Sequence, residues 1–225
     1  MDNYYVDKLN SSGLYKVYDT KIDRVTQFLE AEIDFVRERL SGDESILELG
    51  AGYGRIMKVL ARSCLSITGI DISEQSVSFA KEYLKDCDNC EVFCMDVNNM
   101  KFGSMFDVVL CLQNGLSAIR GSSVESIITL AMKQLKPSGT AYFSSYSPKF
   151  WSQRLEWFQE QANKGLIGEI DLEKTKDGNI VCMDGFVSGT ISEEKFRRLG
   201  DLTGCNYDIY EQDNSTVFLV IKKLP

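Results

Sequence analysis

The chain has 225 residues, of which 44% are hydrophobic and 26% are charged, and its formal net charge is -8 at pH 7. This composition is typical of a folded globular domain and excludes a mainly disordered chain. The acidic balance argues against nucleic acid as a partner, because phosphate binding depends on clustered Lys and Arg.

An amphipathic helix is predicted before the first strand. Apolar residues recur at steps of three and four between positions 22 and 40, which is the pattern of one buried helix face. Thr20 and Asp23 predict a capping box at its start. We expect residues 1–42 to form an N-terminal lid or flanking helix.

Four tyrosines lie near the start of the chain. They are Tyr4, Tyr5, Tyr15 and Tyr18. Aromatic ring faces attract cations, so these residues either cover a cationic ligand or pack the flanking helix against the core.

Strands and helices alternate in the next part of the chain, residues 43–146. The predicted strands and helices are, in order, 45–49, helix 54–62, 66–71, helix 74–85, 91–95, 106–111, helix 124–135 with Ser122 as its cap, and 140–145. This alternation predicts a parallel α/β sheet with helices on both faces.

The pattern changes after Tyr146. Residues 147–190 contain a predicted helix at 151–161 and a predicted β-hairpin, in which 169–175 and 179–186 flank a turn at 176–178. We expect this insertion to cap a substrate, with dimerisation as the alternative. Three of its charged residues are expected on the solvated face: Arg154, Asp171 and Glu173.

The last segment, residues 191–225, completes a single domain. Ser192 is predicted to cap a helix, and strands at 207–212 and 216–221 are predicted to form an antiparallel hairpin at the sheet edge.

Histidine is absent from the chain, and the cysteines number seven. The absence of histidine excludes Ser-His and Cys-His pairs and histidine metal sites. The dispersed, odd number of cysteines fits reduced thiols. Cys87, Cys90 and Cys94 have a spacing similar to that of metal ligands, but Cys94 falls in a predicted strand with no fourth ligand nearby. We therefore expect no metal.

The beginning of the chain, MDNYYVDKLN, lacks the basic and then apolar order of a secretory signal. No apolar stretch in the sequence has the length of about 18 residues that a spanning helix requires. We expect a cytoplasmic protein that has no membrane partner.

The most informative segment is ELGAGYGR, residues 48–55, which follows a buried strand and precedes a helix. Glycines in such a turn let the backbone approach a ligand closely. The spacing is G-x-G-x-G, whereas a dinucleotide fingerprint has G-x-G-x-x-G. Glu48 would repel a diphosphate, and it suits a sulfonium or an ammonium group.

Further polar residues follow the next strands. Asp71 ends the second predicted strand and suits the two hydroxyls of a ribose, while Asp96 ends the third and Gln113 follows the fourth. In an open α/β sheet, ligands bind at the carboxyl ends of the strands. These residues are therefore expected to converge on one nucleoside-type cofactor.

With these motifs, the sequence resembles the class I S-adenosylmethionine-dependent methyltransferase family over about residues 45 to 145. LKPSGTAYF at 135–143 is similar to the turn into the fifth strand of that family. The resemblance implies a Rossmann-like, mostly parallel sheet of seven strands with an antiparallel last strand. It also implies methyl transfer from S-adenosyl-L-methionine to a small molecule.

The resemblance also implies roles for individual residues. Glu48 would lie near the methionine portion of the cofactor, with Gly50, Ala51 and Gly52 against it. Asp71 would hold the ribose, Ile72 would pack on the adenine, and Asp96 with Val97 would contact its amino edge. Leu112 and Gln113 would border the transferred methyl group.

Methyl transfer from a sulfonium mainly requires alignment and exclusion of water. The sequence shows no unambiguous base, which favours an amine, a thiol or an acceptor that is already ionised. The candidates near the methyl group are Gln113, Asn114, Tyr15 and Tyr146. Two alternatives stay open, an NAD-dependent oxidoreductase and a non-catalytic nucleoside-binding protein. The oligomeric state is expected to be monomeric or homodimeric.

Overall fold

The computed structural model describes residues 4, 8–9, 11–103, 105–119 and 121–225. Its main feature is a seven-stranded sheet with the order β3-β2-β1-β4-β5-β9-β8. The strands of this sheet are β1 (Ser45–Leu49), β2 (Ser66–Asp71), β3 (Cys90–Cys94), β4 (Phe106–Cys111), β5 (Leu135–Tyr146), β8 (Asn206–Gln212) and β9 (Thr216–Lys222).

The first five strands of the sheet are parallel, and β9 pairs antiparallel with both β5 and β8. This arrangement confirms the predicted fold class. The order reverses beside β1, so the carboxyl ends of β1 and β4 flank a crevice of the kind in which open α/β sheets bind ligands.

Helices connect the parallel strands and cover both faces of the sheet. The described helices are α1 (Ser11–Tyr18), α2 (Asp23–Arg37), α3 (Arg55–Leu60), α4 (Glu74–Tyr83), α5 (Gly115–Ala118), α6 (Val124–Gln134), α7 (Trp151–Asn163) and α8 (Glu193–Thr203). Among the described residues, no helix has both the length and the apolar character needed to cross a bilayer.

Three hydrophobic clusters hold these layers together. One cluster packs α6 and α8 on one face of the sheet, and a second packs α2, α3 and α4 on the other. The third joins the N-terminal helices to the insertion, through residues such as Val17, Phe28, Trp157 and Phe186. The insertion therefore packs onto the N-terminal segment as a separate apolar layer.

Two of the predicted helix caps are wrong. Helix α2 has Ile22 at its N-cap and no side-chain cap. Thr20 instead accepts from the Ile22 amide at 3.2 Å and donates to Glu160 at 2.6 Å. Helix α6 is capped by Ser123, whose hydroxyl accepts from the Ser126 amide, and not by Ser122. The predicted cap Ser192 of helix α8 is confirmed.

The predicted hairpin of the insertion is only partly formed. Antiparallel bridges join Ile170 to Cys182 and Lys176 to Asn179 across the predicted turn, but the regular ladder joins β6 (Ile180–Val181) and β7 (Val187–Ser188). Between the two bridges, the Thr175 hydroxyl accepts from the Val181 amide at 3.0 Å. A side chain thus takes the place of one backbone acceptor in the predicted hairpin.

Candidate active site

A cavity of about 200 Å³ lies between the carboxyl ends of the strands, helix α1 and the insertion. Residues from the strand ends line one part of it: Gly50, Gly52, Asp71, Ile72, Asp96, Val97, Leu112, Gln113 and Asn114. We call these residues the strand-end set. A second group, which we call the cap set, consists of Tyr146, Trp157, Phe158, Gln161 and Phe186.

The glycine-rich turn is fixed to the second strand. The amides of Gly50 and Ala51 both donate to the Ile70 carbonyl at 2.9 Å. Gly50 and Gly52 have φ values of 74° and 55°, in the left-handed region where a side chain is strained. A Cβ at Gly50 would meet nothing within 4 Å, whereas one at Gly52 would lie 2.6 Å from Leu14. The loop is therefore open to a ligand at Gly50 and covered by helix α1 at Gly52.

Asp71 braces this turn. One carboxylate oxygen accepts from the Gly52 amide at 2.9 Å and the other accepts from the Ser73 amide at 2.9 Å. Burial raises the pKa of the Asp71 carboxyl, and these two hydrogen bonds oppose that increase. The side chain consequently faces the cavity in a fixed orientation.

Asp96 combines a structural contact with its position on the cavity. It caps the short 3₁₀ helix Val97–Asn99 and accepts from the backbone and side-chain amides of Asn98 at 2.9 and 2.8 Å. It also lines the cavity. The carboxylates of Asp71 and Asp96 therefore open onto one space.

Glu48 lies beneath the cavity surface, and it is not among the described residues that line it. Its side chain is 3% exposed, and its Oε2 has no hydrogen-bond partner within the described residues. Burial raises its pKa to about 8, Arg55 opposes this increase, and Asp71 and Glu32 add to it. Ala51 is likewise buried against Gly69. Glu48 therefore supports the glycine-rich turn from below as a buried carboxyl that holds its proton at neutral pH, and it does not line the cavity.

Arg55 connects this buried layer to the N-terminal segment. Its guanidinium carbon lies 4.6 Å from the centre of the Tyr18 ring, and Tyr18 lines the cavity. Tyr18 also contacts the rings of Tyr53 and Trp157 at 6.1 Å. The tyrosine therefore lies between the buried charges and the insertion.

The other N-terminal tyrosines have different surroundings. Tyr15, a candidate near the methyl group, is 45% exposed and packs against Tyr53 and Phe79. It is not among the described residues that line the cavity. Tyr4 donates to Asp184 at 2.7 Å and stacks near Phe186. Tyr5 lies outside the described residues.

The turn after β4 depends on Glu32, a residue that the sequence interpretation missed. Glu32 is 1% exposed on helix α2, and it accepts from the Gln113 amide at 3.0 Å and the Ser144 hydroxyl at 2.5 Å. The side-chain amide of Gln113 also donates to it. Burial raises the pKa of Glu32. The sequence signal that could have identified Glu32 as a buried functional residue is its position in the middle of the apolar stripe of this helix.

Gln113 and Asn114 both have a positive φ, of 53° and 57°. The Asn114 side chain accepts from Ser145 at 2.7 Å and donates to the Gly189 carbonyl at 2.8 Å. This amide therefore ties the end of β4 to β5 and to the insertion. Gln113 and Asn114 line the cavity as predicted candidates, with their backbone held by side chains from distant elements.

The predicted solvated face of the insertion is wrong for two of its three residues. Arg154 is 1% exposed, and it donates to the Gly178 carbonyl at 2.8 Å and the Ser188 carbonyl at 2.7 Å. Asp171 is buried beside Lys174, with an oxygen-to-nitrogen distance of 2.8 Å. Glu173 is exposed. Because the insertion supplies carbonyl acceptors for Arg154, helix α7 buries this charged side chain together with its apolar residues.

The site contains carboxylates, amides and aromatic rings. Within the described residues, no three His, Cys, Asp or Glu side chains come together to hold a metal ion. Acidic groups at the strand ends suit ribose hydroxyls and cationic groups. The open backbone at Gly50 and the anchored carboxylate of Asp71 fit a nucleoside cofactor that carries a positive charge.

Residues 46–139 match a family model described as a methyltransferase domain. A ubiquinone biosynthesis O-methyltransferase from Hydrogenovibrio crunogenus is 25% identical over 169 residues, which is 73% of this chain and 65% of that protein. The chain spans less than two thirds of the length of the first curated relatives it matches, with coverage between 42% and 65%.

Solved structures share the fold. The N-methyltransferase NodS from Bradyrhizobium japonicum, in complex with S-adenosyl-L-homocysteine, has a TM-score of 0.62 at 17% identity, covering 99% of each chain. Magnesium protoporphyrin IX methyltransferase from Synechocystis, with bound S-adenosylmethionine, has a TM-score of 0.64 at 15% identity, covering 99% of this chain and 98% of that one. Over residues 46–139 the comparisons agree with the resemblance seen in the sequence, because this segment matches a methyltransferase domain, and the chain as a whole shares the fold of these S-adenosylmethionine-dependent methyltransferases.

Proposed function

We propose that the protein transfers the methyl group of S-adenosyl-L-methionine to a small-molecule acceptor with a nitrogen, oxygen or sulfur nucleophile. The observation that carries this proposal is the single cavity shared by Gly50, Asp71 and Asp96 at the strand ends and by the aromatic cap set. Small acceptors are supported by the ubiquinone biosynthesis O-methyltransferase relative.

The strand-end set would hold the cofactor. Asp71 would accept from the ribose hydroxyls, while Ile72 and Val97 would pack on the adenine and Asp96 would contact its amino edge. Gly50 and Gly52 would allow the methionine portion to approach the backbone, above the buried carboxyl of Glu48. Leu112 and Gln113 would border the methyl group.

When bound, the cofactor would supply a methyl group on a sulfonium. A nucleophile in line with the carbon–sulfur bond would take this methyl group, and the electron pair of the broken bond would stay on sulfur, which leaves S-adenosyl-L-homocysteine. The residues of the chain would align the two molecules and keep water out. Leu14 covers the glycine-rich turn, and Tyr18 and Trp157 adjoin on the cap side. Asn114 and Tyr146 are the polar candidates beside the acceptor.

The segments would divide this work between them. Residues 1–42 would act as the lid, 43–146 as the cofactor-binding core and 147–190 as the cap over the acceptor, with 191–225 completing the sheet. The hydrogen bond from Trp157 to the Val17 carbonyl at 3.0 Å supports a joint lid and cap. All seven cysteines are free thiols, which supports a cytoplasmic enzyme. We expect this enzyme to be monomeric or homodimeric and to act without nucleic acid or membrane.

Two measurements test this function. Isothermal titration calorimetry with S-adenosyl-L-homocysteine should show one site per chain. Labelled S-adenosyl-L-methionine, incubated with a panel of amines, phenols and thiols, should transfer label to at least one acceptor. Binding of NADH with no binding of either sulfur nucleoside would instead identify an oxidoreductase. Cofactor binding with no transfer across the panel would favour a non-catalytic binding protein.

A further inference from the structure

The cap side of the cavity combines aromatic rings with one buried amide. The rings of Tyr146, Trp157, Phe158 and Phe186 are each no more than 7% exposed, and all four residues line the cavity. Gln161 lines the same space and is 3% exposed. This surface suits a flat and largely apolar ligand, and Gln161 offers it a buried polar contact.

The side-chain amide of Gln161 carries an N–H donor that is available to a ligand. Its Nε2 has no hydrogen-bond partner within the described residues, although its backbone carbonyl accepts from the Leu166 amide at 3.0 Å. A buried amide without a partner costs free energy. A ligand that brings an acceptor oxygen into the cavity would satisfy this donor.

Charge does not select the ligand on the cap side. Arg154 lies behind the cavity wall, with its guanidinium carbon 4.2 Å from the centre of the Tyr146 ring. Its N–H groups donate to the backbone carbonyls of Gly178 and Ser188. Among the described lining residues, the carboxyl groups belong to Asp71 and Asp96, both at the strand ends.

The cap side is also rigid. Trp157 is fixed by its bond to the Val17 carbonyl and by contact with the Tyr18 ring. The rings of Phe158 and Phe186 lie 6.2 Å apart, and the side chains around them form one apolar cluster. A preformed aromatic pocket binds a rigid ring with little loss of side-chain freedom.

We propose that the acceptor is an uncharged aromatic compound with a carbonyl or ether oxygen, and that Gln161 binds this oxygen through Nε2. The inference rests on the proposed function and adds the class of acceptor to it. Gln161 would be a specificity-determining residue, because an acceptor without the oxygen leaves its amide unsatisfied.

Three related probes test this proposal in titrations of the protein with and without saturating S-adenosyl-L-homocysteine. 4-Hydroxyacetophenone carries the carbonyl oxygen, 4-ethylphenol lacks it, and 4-hydroxybenzoate keeps acceptor oxygens but adds a negative charge. We expect 4-hydroxyacetophenone to bind about tenfold more tightly than 4-ethylphenol, as one hydrogen bond to a buried group predicts. It should also bind more tightly than 4-hydroxybenzoate, because burying an unpaired charge costs free energy.

Variants of two glutamines on helix α7 test whether Gln161 causes the preference for 4-hydroxyacetophenone. Gln161→Met keeps the volume and removes the donor, and it should abolish the preference for 4-hydroxyacetophenone while leaving the affinity for S-adenosyl-L-homocysteine unchanged. Gln161→Leu, which also lacks a donor, is a second variant with the same expected loss. Gln159→Met, on the exposed face of the helix, should keep the preference. Unchanged melting temperatures would show that the variants fold.

The outcomes separate this inference from the proposed function. Binding of S-adenosyl-L-homocysteine without a preference among the probes, or a preference that survives both Gln161 variants, would overturn the role of Gln161. Tighter binding of 4-hydroxybenzoate would overturn the uncharged class. A lack of nucleoside binding alongside a Gln161-dependent preference would instead refute the cofactor and keep the aromatic site.

Discussion

The strand-end set and the cap set line one cavity, but different interactions hold them. Backbone hydrogen bonds and carboxylates fix the strand ends, as in the contacts of Asp71 with Gly52 and Ser73. Ring packing fixes the cap, around Trp157 and Phe186. Changes in the first set should therefore affect cofactor binding, and changes in the second should affect acceptor binding.

The largest effect is expected for Glu32→Ala, which removes the support of the turn after β4. Three donors from Gln113 and Ser144 would lose their buried acceptor. We expect the free energy of unfolding to fall by about 2–4 kcal/mol in urea denaturation. Glu30→Ala, at an exposed position of the same helix, should change it by less than about 0.5 kcal/mol. Equal losses of stability in the two variants would contradict the supporting role of Glu32.

The next effect concerns the affinity for the cofactor. Asp71→Ala removes the acceptor for two amides of the turn and the proposed acceptor for the ribose. The affinity for S-adenosyl-L-homocysteine, measured by calorimetry, should weaken by about 1–3 kcal/mol. Asp86→Ala, at an exposed position, is the matched control. An unchanged affinity in the Asp71 variant would contradict its assigned role.

A smaller effect on stability and cofactor binding is expected when two glycines are replaced. Gly50 and Gly42 have φ values of 74° and 104°, and a Cβ at either would meet nothing within 4 Å. Replacement by Ala should cost each about 1–2 kcal/mol of stability through backbone strain. Only Gly50→Ala should also weaken binding of S-adenosyl-L-homocysteine, because its new methyl group would enter the cavity. Equal binding by both variants would place the ligand away from the turn.

A pH dependence caused by Glu48 is small per pH unit and accumulates over several units. Its pKa is raised from 4.5 to about 8 by burial, so between these values the folded chain holds a proton that the unfolded chain has lost. The free energy of unfolding should therefore fall with rising pH by about 1 kcal/mol per pH unit, relative to Glu48→Gln. Above about pH 8 the difference should become constant. Parallel stability curves from pH 5 to 9 would show that Glu48 titrates normally.

The strand-end set was predictable from the sequence because its signals are local. A buried strand followed by a glycine or a carboxylate identifies a strand end, and parallel strands bring such ends to one edge. Eight of the ten predicted cofactor residues therefore line the cavity. Glu48 differs because β1 is buried on both faces, and Ala51 differs because its amide is bonded to the Ile70 carbonyl and its side chain is buried.

The cap set was harder to predict because its contacts span long distances in the sequence. The bond from Trp157 to Val17 joins residues 140 positions apart. The missed contact of the strand-end set, from Gln113 to Glu32, likewise joins residues 81 positions apart. No periodicity encodes such partners. Arg154 illustrates the difficulty, since its burial depends on carbonyl acceptors of Gly178 and Ser188 that only the folded insertion supplies.

The most direct test of the central claim is a crystal structure of the protein with S-adenosyl-L-homocysteine. We predict that the ribose hydroxyls lie within hydrogen-bond distance of the Asp71 carboxylate, with the adenine between Ile72 and Val97 and the sulfur facing the cap set. A ligand bound elsewhere, or a ribose that makes no contact with Asp71, would contradict the assignment of this cavity.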